Sequence, residues 1–184
     1  MSIWSGGRRV ELEKPKFVND AYIFFNDTNT KKIPDASVFG IGFYSPTLDY
    51  FIDCEEPKDC WAQVVKESYP KIFKKSLYKR KIADKKATYF IDLWQLGIED
   101  MWRVNHSNPQ FMWVGTTIGV LLNLLIYMGF TRIHFVNCNV VGYENYSLRI
   151  FLFEFCEVAK NHGVQCFSHD KMSPLNSIMG YQVI

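Results

Sequence analysis

"FMWVGTTIGVLLNLLIYMGFTRIHFVNCN", Phe111 to Asn139, opens with twenty residues that carry no charge. That length meets the threshold for a membrane helix. Gly115, Thr116 and Thr117 interrupt it, Gly119 follows, and Asn123 lies in its middle. Gly129 stands where a helix would stop before the apolar run Arg132 to Asn139. The pattern reads as strand end, tight turn, buried helix from about Thr117 to Met128, glycine cap and next strand. A β-α-β crossover has this order and these lengths, so no integral membrane span is expected.

The rest of the chain alternates in the same way. Short apolar runs at Asp20 to Asp27, Ala36 to Phe43, Ala87 to Trp94, Arg132 to Asn139 and Gly163 to His169 read as strands. Pro57 to Tyr69 and Ser147 to Gly163 carry helical spacing and helix start and stop residues. Helix is also expected over residues 71 to 86. The fold class predicted is α/β, a single Rossmann-like three-layer domain over residues 1 to 184 with a mostly parallel sheet.

Hydrophobic content of 48% and aromatic content of 16% imply a packed globule. A net charge of +2 implies no nucleic-acid partner. Lys71 to Lys86 nevertheless gathers eight Lys or Arg against one Asp, either as a solvated face or as a rim attractive to an anion. Five cysteines without paired or metal-finger spacing, and a start that lacks the features of a secretion signal, lead to an expected cytoplasmic location. Trp94, Trp102 and Trp113 permit a self-association surface, and so a homo-oligomer, and equally a well-packed core.

Function is expected at the turns on the carboxyl edge of the sheet. Helix N-termini there favour anions, with Gly115, Thr116 and Thr117 as backbone and hydroxyl donors. Ser45, before Pro46, lies in a second turn, and Asn26 ends a strand with an amide able to read a base or ribose. Ser5, Gly6 and Gly7, followed by Arg8 and Arg9, form a further candidate phosphate turn.

In this order the turns resemble those of the bacterial lipooligosaccharide sialyltransferases and of their Rossmann-related relatives, the archaeal-type hydroxymethyl-dihydropterin pyrophosphokinases. The matching places are Ser5-Gly6-Gly7, Asn26, Tyr44-Ser45-Pro46-Thr47, Thr116-Thr117-Ile118, Met128-Gly129-Phe130, the strand ending at Asn139, and Ser173 to Ser177. The resemblance implies a nucleotide or nucleotide-sugar ligand, such as a cytidine conjugate, along the carboxyl edge with Asn26, Ser45, Thr116 and Thr117 as its contacts. It also implies that Tyr143 and Tyr146 meet the leaving phosphate. No cofactor is firmly implied beyond a nucleotide-sugar donor. Two features depart from the family pattern: Asn139 replaces its acidic strand end, and only "VVGYENY" stands where its lid carries a catalytic His.

His169, beside Asp170 after the last strand, is the candidate general base in that place. His134 inside a strand and His162 at a helix end read as structural, and His106 as nearer the opposite edge. No spacing supports a metal site. Two functions remain open, a nucleotide-sugar-dependent glycosyltransferase and a non-catalytic protein that binds or sequesters a nucleotide derivative.

Overall fold

The computed structural model describes residues 3–5, 8–12, 15–26, 30–54, 59–74, 82, 85–91, 117–138 and 146–183. Its strands are β1 (Ile3–Ser5), β2 (Arg8–Val10), β3 (Asp20–Phe24), β4 (Ser37–Ile41), β5 (Tyr50–Asp53), β6 (Lys71–Lys74), β7 (Thr88–Ile91), β8 (Arg132–Val136), β9 (Gln165–Ser168) and β10 (Gly180–Tyr181). The helices are α1 (Trp61–Val64), α2 (Thr117–Met128) and α3 (Tyr146–Asn161), with a 3-10 turn at Pro174–Ser177.

The ten strands among the described residues join one sheet in the order β10-β9-β8-β3-β4-β5-β6-β7-β1-β2. From β10 to β7 every neighbour is parallel. The β1–β2 pair closes the far edge antiparallel. The α/β class with a mostly parallel sheet is as predicted.

The apolar runs of β4 and β5 are continuous because the sheet is covered on both faces there. Ala21, Ile23, Phe39, Ile52, Ile133 and Phe135 face a core shared with α2 and α3. Phe24, Val38, Phe51, Phe73 and Phe90 face a second core that includes Trp61 and Val64 of α1. Every residue of α2 except Tyr127 is buried, and each of its leucines contributes roughly 1.5–3 kcal/mol on leaving water. Asn123 is tolerated in this helix because its amide donates to the Gly119 carbonyl at 2.7 Å. No helix among the described residues is long and apolar enough to cross a membrane.

Both long helices end on glycine in the left-handed region, Gly129 at φ 91° and Gly163 at φ 75°. Phe130 N–H reaches Leu125 O at 3.1 Å and Gly129 N–H reaches Ile126 O at 3.0 Å, the paired bonds of a Schellman cap. Val164 and Gly163 repeat it on Ala159 and Lys160.

Two expectations are corrected. The helix read over residues 57–69 is one described turn, Trp61–Val64, pinned where the Trp61 indole donates to buried Asp53 at 3.0 Å. The helix read over residues 71–86 begins instead as β6, because Ile72 and Phe73 must serve opposite faces of the sheet.

Candidate functional site

The strand order places a topological switch between β3 and β8. From β3 the chain steps outward through β4, β5, β6 and β7, then returns to build β8, β9 and β10 on the other side. Connections leaving the carboxyl ends of β3 and β8 diverge, which opens the crevice where parallel sheets hold ligands.

A cavity of about 580 Å³ lies there. Phe24 and Val136, partners at the ends of β3 and β8, line it together with Thr30, Lys31, Asn137 and His169. Asn137 adopts φ 57°, a left-handed conformation that asparagine tolerates. Its amide donates to Asn26 Oδ1 at 3.1 Å, so two amides join across the switch. Lys31 brings the positive charge that an anionic ligand would need.

His169 extends the ladder one residue beyond β9, its N–H donating to Phe135 O at 3.0 Å. The sequence pairs it with Asp170, but that carboxylate accepts from Met172 N–H at 3.0 Å in its own turn. The partner of His169 is His134, with Nε2 and Nδ1 3.0 Å apart. His134 in turn bonds Asp20 Oδ1 through Nε2 at 2.8 Å, and Arg132 donates to Asp20 Oδ2 at 2.5 Å.

Strand register produces this series. Asp20 lies opposite Arg132, and Tyr22 opposite His134, which is opposite Phe167. The His134 ring stacks on Tyr22 at 4.1 Å and 6°, and on Phe167 at 4.9 Å and 19°. A second cavity, about 450 Å³, opens onto Asp20, Arg132 and His134.

Burial lowers the pKa of His134, against the opposing pull of Asp20. Burial and then His134 push His169 down to about 4, opposed by the Gln182 backbone. Both rings are therefore neutral near pH 7. His169 Nδ1 is buried and makes no hydrogen bond of normal geometry among the described residues.

The predicted site residues are not gathered at one point. Asn26 and His169 meet the switch crevice. Ser45 follows β4, buried, with its hydroxyl bonded to Thr47 Oγ1 at 2.9 Å. Thr117 sits beside the end of β5, where its hydroxyl accepts from Cys54 N–H at 3.1 Å. Ser5 ends β1, which runs antiparallel to β7, so it lies toward the amino edge of the parallel strands, far from β3. Tyr146 is the first residue of α3. Gly6, Gly7, His106, Gly115, Thr116, Asn139 and Tyr143 lie outside the described residues, as do Trp94, Trp102 and Trp113.

Asn137, Lys31, Asp20 and His134 were missed by sequence reasoning. One signal was present: Asp20, Tyr22, Arg132, His134, Gln165, Phe167 and His169 share one parity across three strands, and that parity is polar and aromatic where a fully covered face would be aliphatic. Two other strand-end carboxylates are engaged in structure, Asp49 by Val38 N–H and Lys32, and Asp53 by Trp61. No cluster of metal-ligating side chains occurs among the described residues.

No protein-family model, no curated protein and no solved structure matches this chain.

Proposed function

We propose that the protein binds a nucleotide or nucleotide derivative in the crevice between the ends of β3 and β8, and that it transfers a group, most simply a sugar, from that ligand. The observation that carries this reading is the convergence, at the switch point, of an amide pair, a lysine and a neutral histidine. Asn26 and Asn137 offer donors and acceptors for a base or ribose, Lys31 offers a charge for phosphate, and His169 offers a base for an acceptor hydroxyl. The choice of a nucleotide sugar rests on the resemblance of the turns to those of sialyltransferases.

A non-catalytic binding protein on the same scaffold is the second reading. It is favoured by two departures from the sialyltransferase pattern in the sequence, Asn139 in place of an acidic strand end and only "VVGYENY" where a lid would carry a catalytic His.

Calorimetric titration with a nucleotide panel, including cytidine monophosphate and its sugar conjugates, tests the site. Micromolar affinity is expected for one member, weakened at least about tenfold, or about 1.4 kcal/mol, in Asn26→Leu. Absence of binding across the panel would overturn both readings. Hydrolysis or transfer of the bound conjugate then separates the enzyme from the binding protein.

A further inference from the structure

We propose that Cys156 and Cys166 form a redox-active dithiol, closed to a disulfide by a small hydroperoxide that enters at the edge of the sheet. The pair stands apart from the crevice between β3 and β8 and does not depend on what that crevice binds.

The fold sets the two residues against each other. In α3, Leu152, Cys156 and Ala159 share the buried stripe, about one helical turn apart. In β9, Cys166 lies opposite Ile133 of β8 and shares its side of the sheet, the side whose core α3 helps to build. The Gly163 cap turns the chain back after α3, so the two cysteines meet across the helix–sheet interface. The Cys166 side chain hydrogen-bonds the Cys156 thiol and, ahead of burial, pushes it well above the ordinary thiol range.

Access comes from the sheet edge. Among the described residues β10 pairs only with Phe167 and Ser168 of β9, so Cys166 lies just beyond the stretch that β10 covers. A cavity of about 270 Å³ opens there, lined by both cysteines together with Lys160, Ile178 and Gly180. Cys156 is buried behind Cys166, which is half-buried. Lys160 is exposed and brings a positive charge to the cavity, toward which hydroxide can depart.

The other cysteines serve as internal controls. Cys54 and Cys138 are buried, and burial pushes the Cys138 thiol up to about 12. Cys138 acts on Cys156 more weakly than Cys166 does. Cys60 is half-buried like Cys166, but its thiol donates to the Gly42 carbonyl at 3.5 Å. Exposure alone therefore does not single out the pair; their juxtaposition does.

The order of events follows from the two environments. The attacking species is a thiolate, and a thiol held well above its ordinary range supplies little of it. First attack on the peroxide belongs to Cys166, the more exposed sulfur. Its S–O bond forms, the O–O bond breaks, and the departing hydroxide takes up the thiol proton as water, leaving a sulfenic acid. The Cys156 sulfur then attacks the Cys166 sulfur. The S–O bond breaks as the S–S bond forms, and hydroxide leaves with the Cys156 proton as a second water. The two thiols lose two electrons and two protons, and one peroxide becomes two waters.

Limited treatment of the native protein with hydrogen peroxide, then alkylation in denaturant and peptide mass mapping, tests this. A Cys156–Cys166 link is expected, reversed by a small dithiol reductant, while Cys54, Cys60 and Cys138 are recovered alkylated. Cys156→Ser should leave Cys166 as a sulfenic acid that dimedone traps, and Cys166→Ser should abolish oxidation at Cys156. A link through another cysteine, or sulfinic acid at Cys166 of the native protein without a link, would overturn the inference. So would recovery of all five thiols alkylated after peroxide. Where a variant does not fold, the native protein decides with phenylarsine oxide, which bridges two adjacent thiols with loss of water. Cys156 and Cys166 should then resist alkylation together, and alkylation of both as in untreated protein would sink the pairing.

Discussion

Lys71 shows what one residue can cost the fold. It starts β6 with no exposed surface, opposite Phe51 and Thr88. Its amine donates to the Glu67 carbonyl at 2.5 Å, and buried Tyr69 Oη and Thr88 Oγ1 have no hydrogen-bond partner among the described residues. Burial drives the Lys71 pKa down to about 8. In the unfolded chain the amine titrates near its ordinary 10.5. Between those values the unfolded state binds more protons, so stability rises with pH from about 8 to 10.5. At pH 7 the folded protein carries the full cost of the buried charge. Lys71→Met should therefore raise stability at pH 7 by about 2 kcal/mol, and the gain should vanish above pH 10.5, as urea denaturation at both pH values would show. A variant less stable than the native protein at pH 7 would mean that the Glu67 bond outweighs desolvation. The sequence signalled nothing of this, since Lys71 heads a run of exposed-looking cations. Asn26 and His169 were legible because each ends a strand. Asp20 and His134 were not, because only strand register brings them together.

The elements that could be read from sequence were those with a long period and clear punctuation. α2 spans Thr117–Met128 as expected, since an uncharged helix closed by glycine has few alternatives. β6 was misread because its alternation is only four residues long and merges into a lysine-rich stretch. Glycines divide along the same line. Gly129 needs its left-handed φ, but a Cβ added there would meet open space, so Gly129→Ala should cost only the conformational term, about 1 kcal/mol. Gly40, within β4, would place a Cβ 2.6 Å from Leu48 and 3.1 Å from the Phe43 ring. Leu48 is buried and cannot move freely, so Gly40→Ala should cost about 2–3 kcal/mol by overpacking. Thermal melting of the two variants checks the order. A larger loss at Gly129 would show that the loop over β4 yields more easily than the α2 cap.

Across the whole molecule the parallel order was legible in the alternation of strands and helices, while the position of the switch was not. Nothing local states that β8 returns to pair with β3, yet that pairing creates the crevice and joins Asp20 to His134. The same pairing makes the fold sensitive to acid. His134 and His169 have lowered pKa values in the folded protein, His169 down to about 4, against 6.5 when unfolded. Between pH 6.5 and 4 the unfolded chain therefore binds more protons at these rings. Their contribution to stability is complete above pH 6.5 and is lost as pH falls toward 4. For His169 a fully buried group would lose roughly 3 kcal/mol, and solvent screening of its partly exposed ring reduces this to about 1–2 kcal/mol. The native protein should thus lose about 3–6 °C more in melting temperature between about pH 7 and 4.5 than His169→Gln, which has no proton to gain there. Calorimetry of the two proteins over that range measures the difference directly. Parallel curves would show that the acid sensitivity arises elsewhere and that the His169 ring accepts a proton in the folded state at little cost.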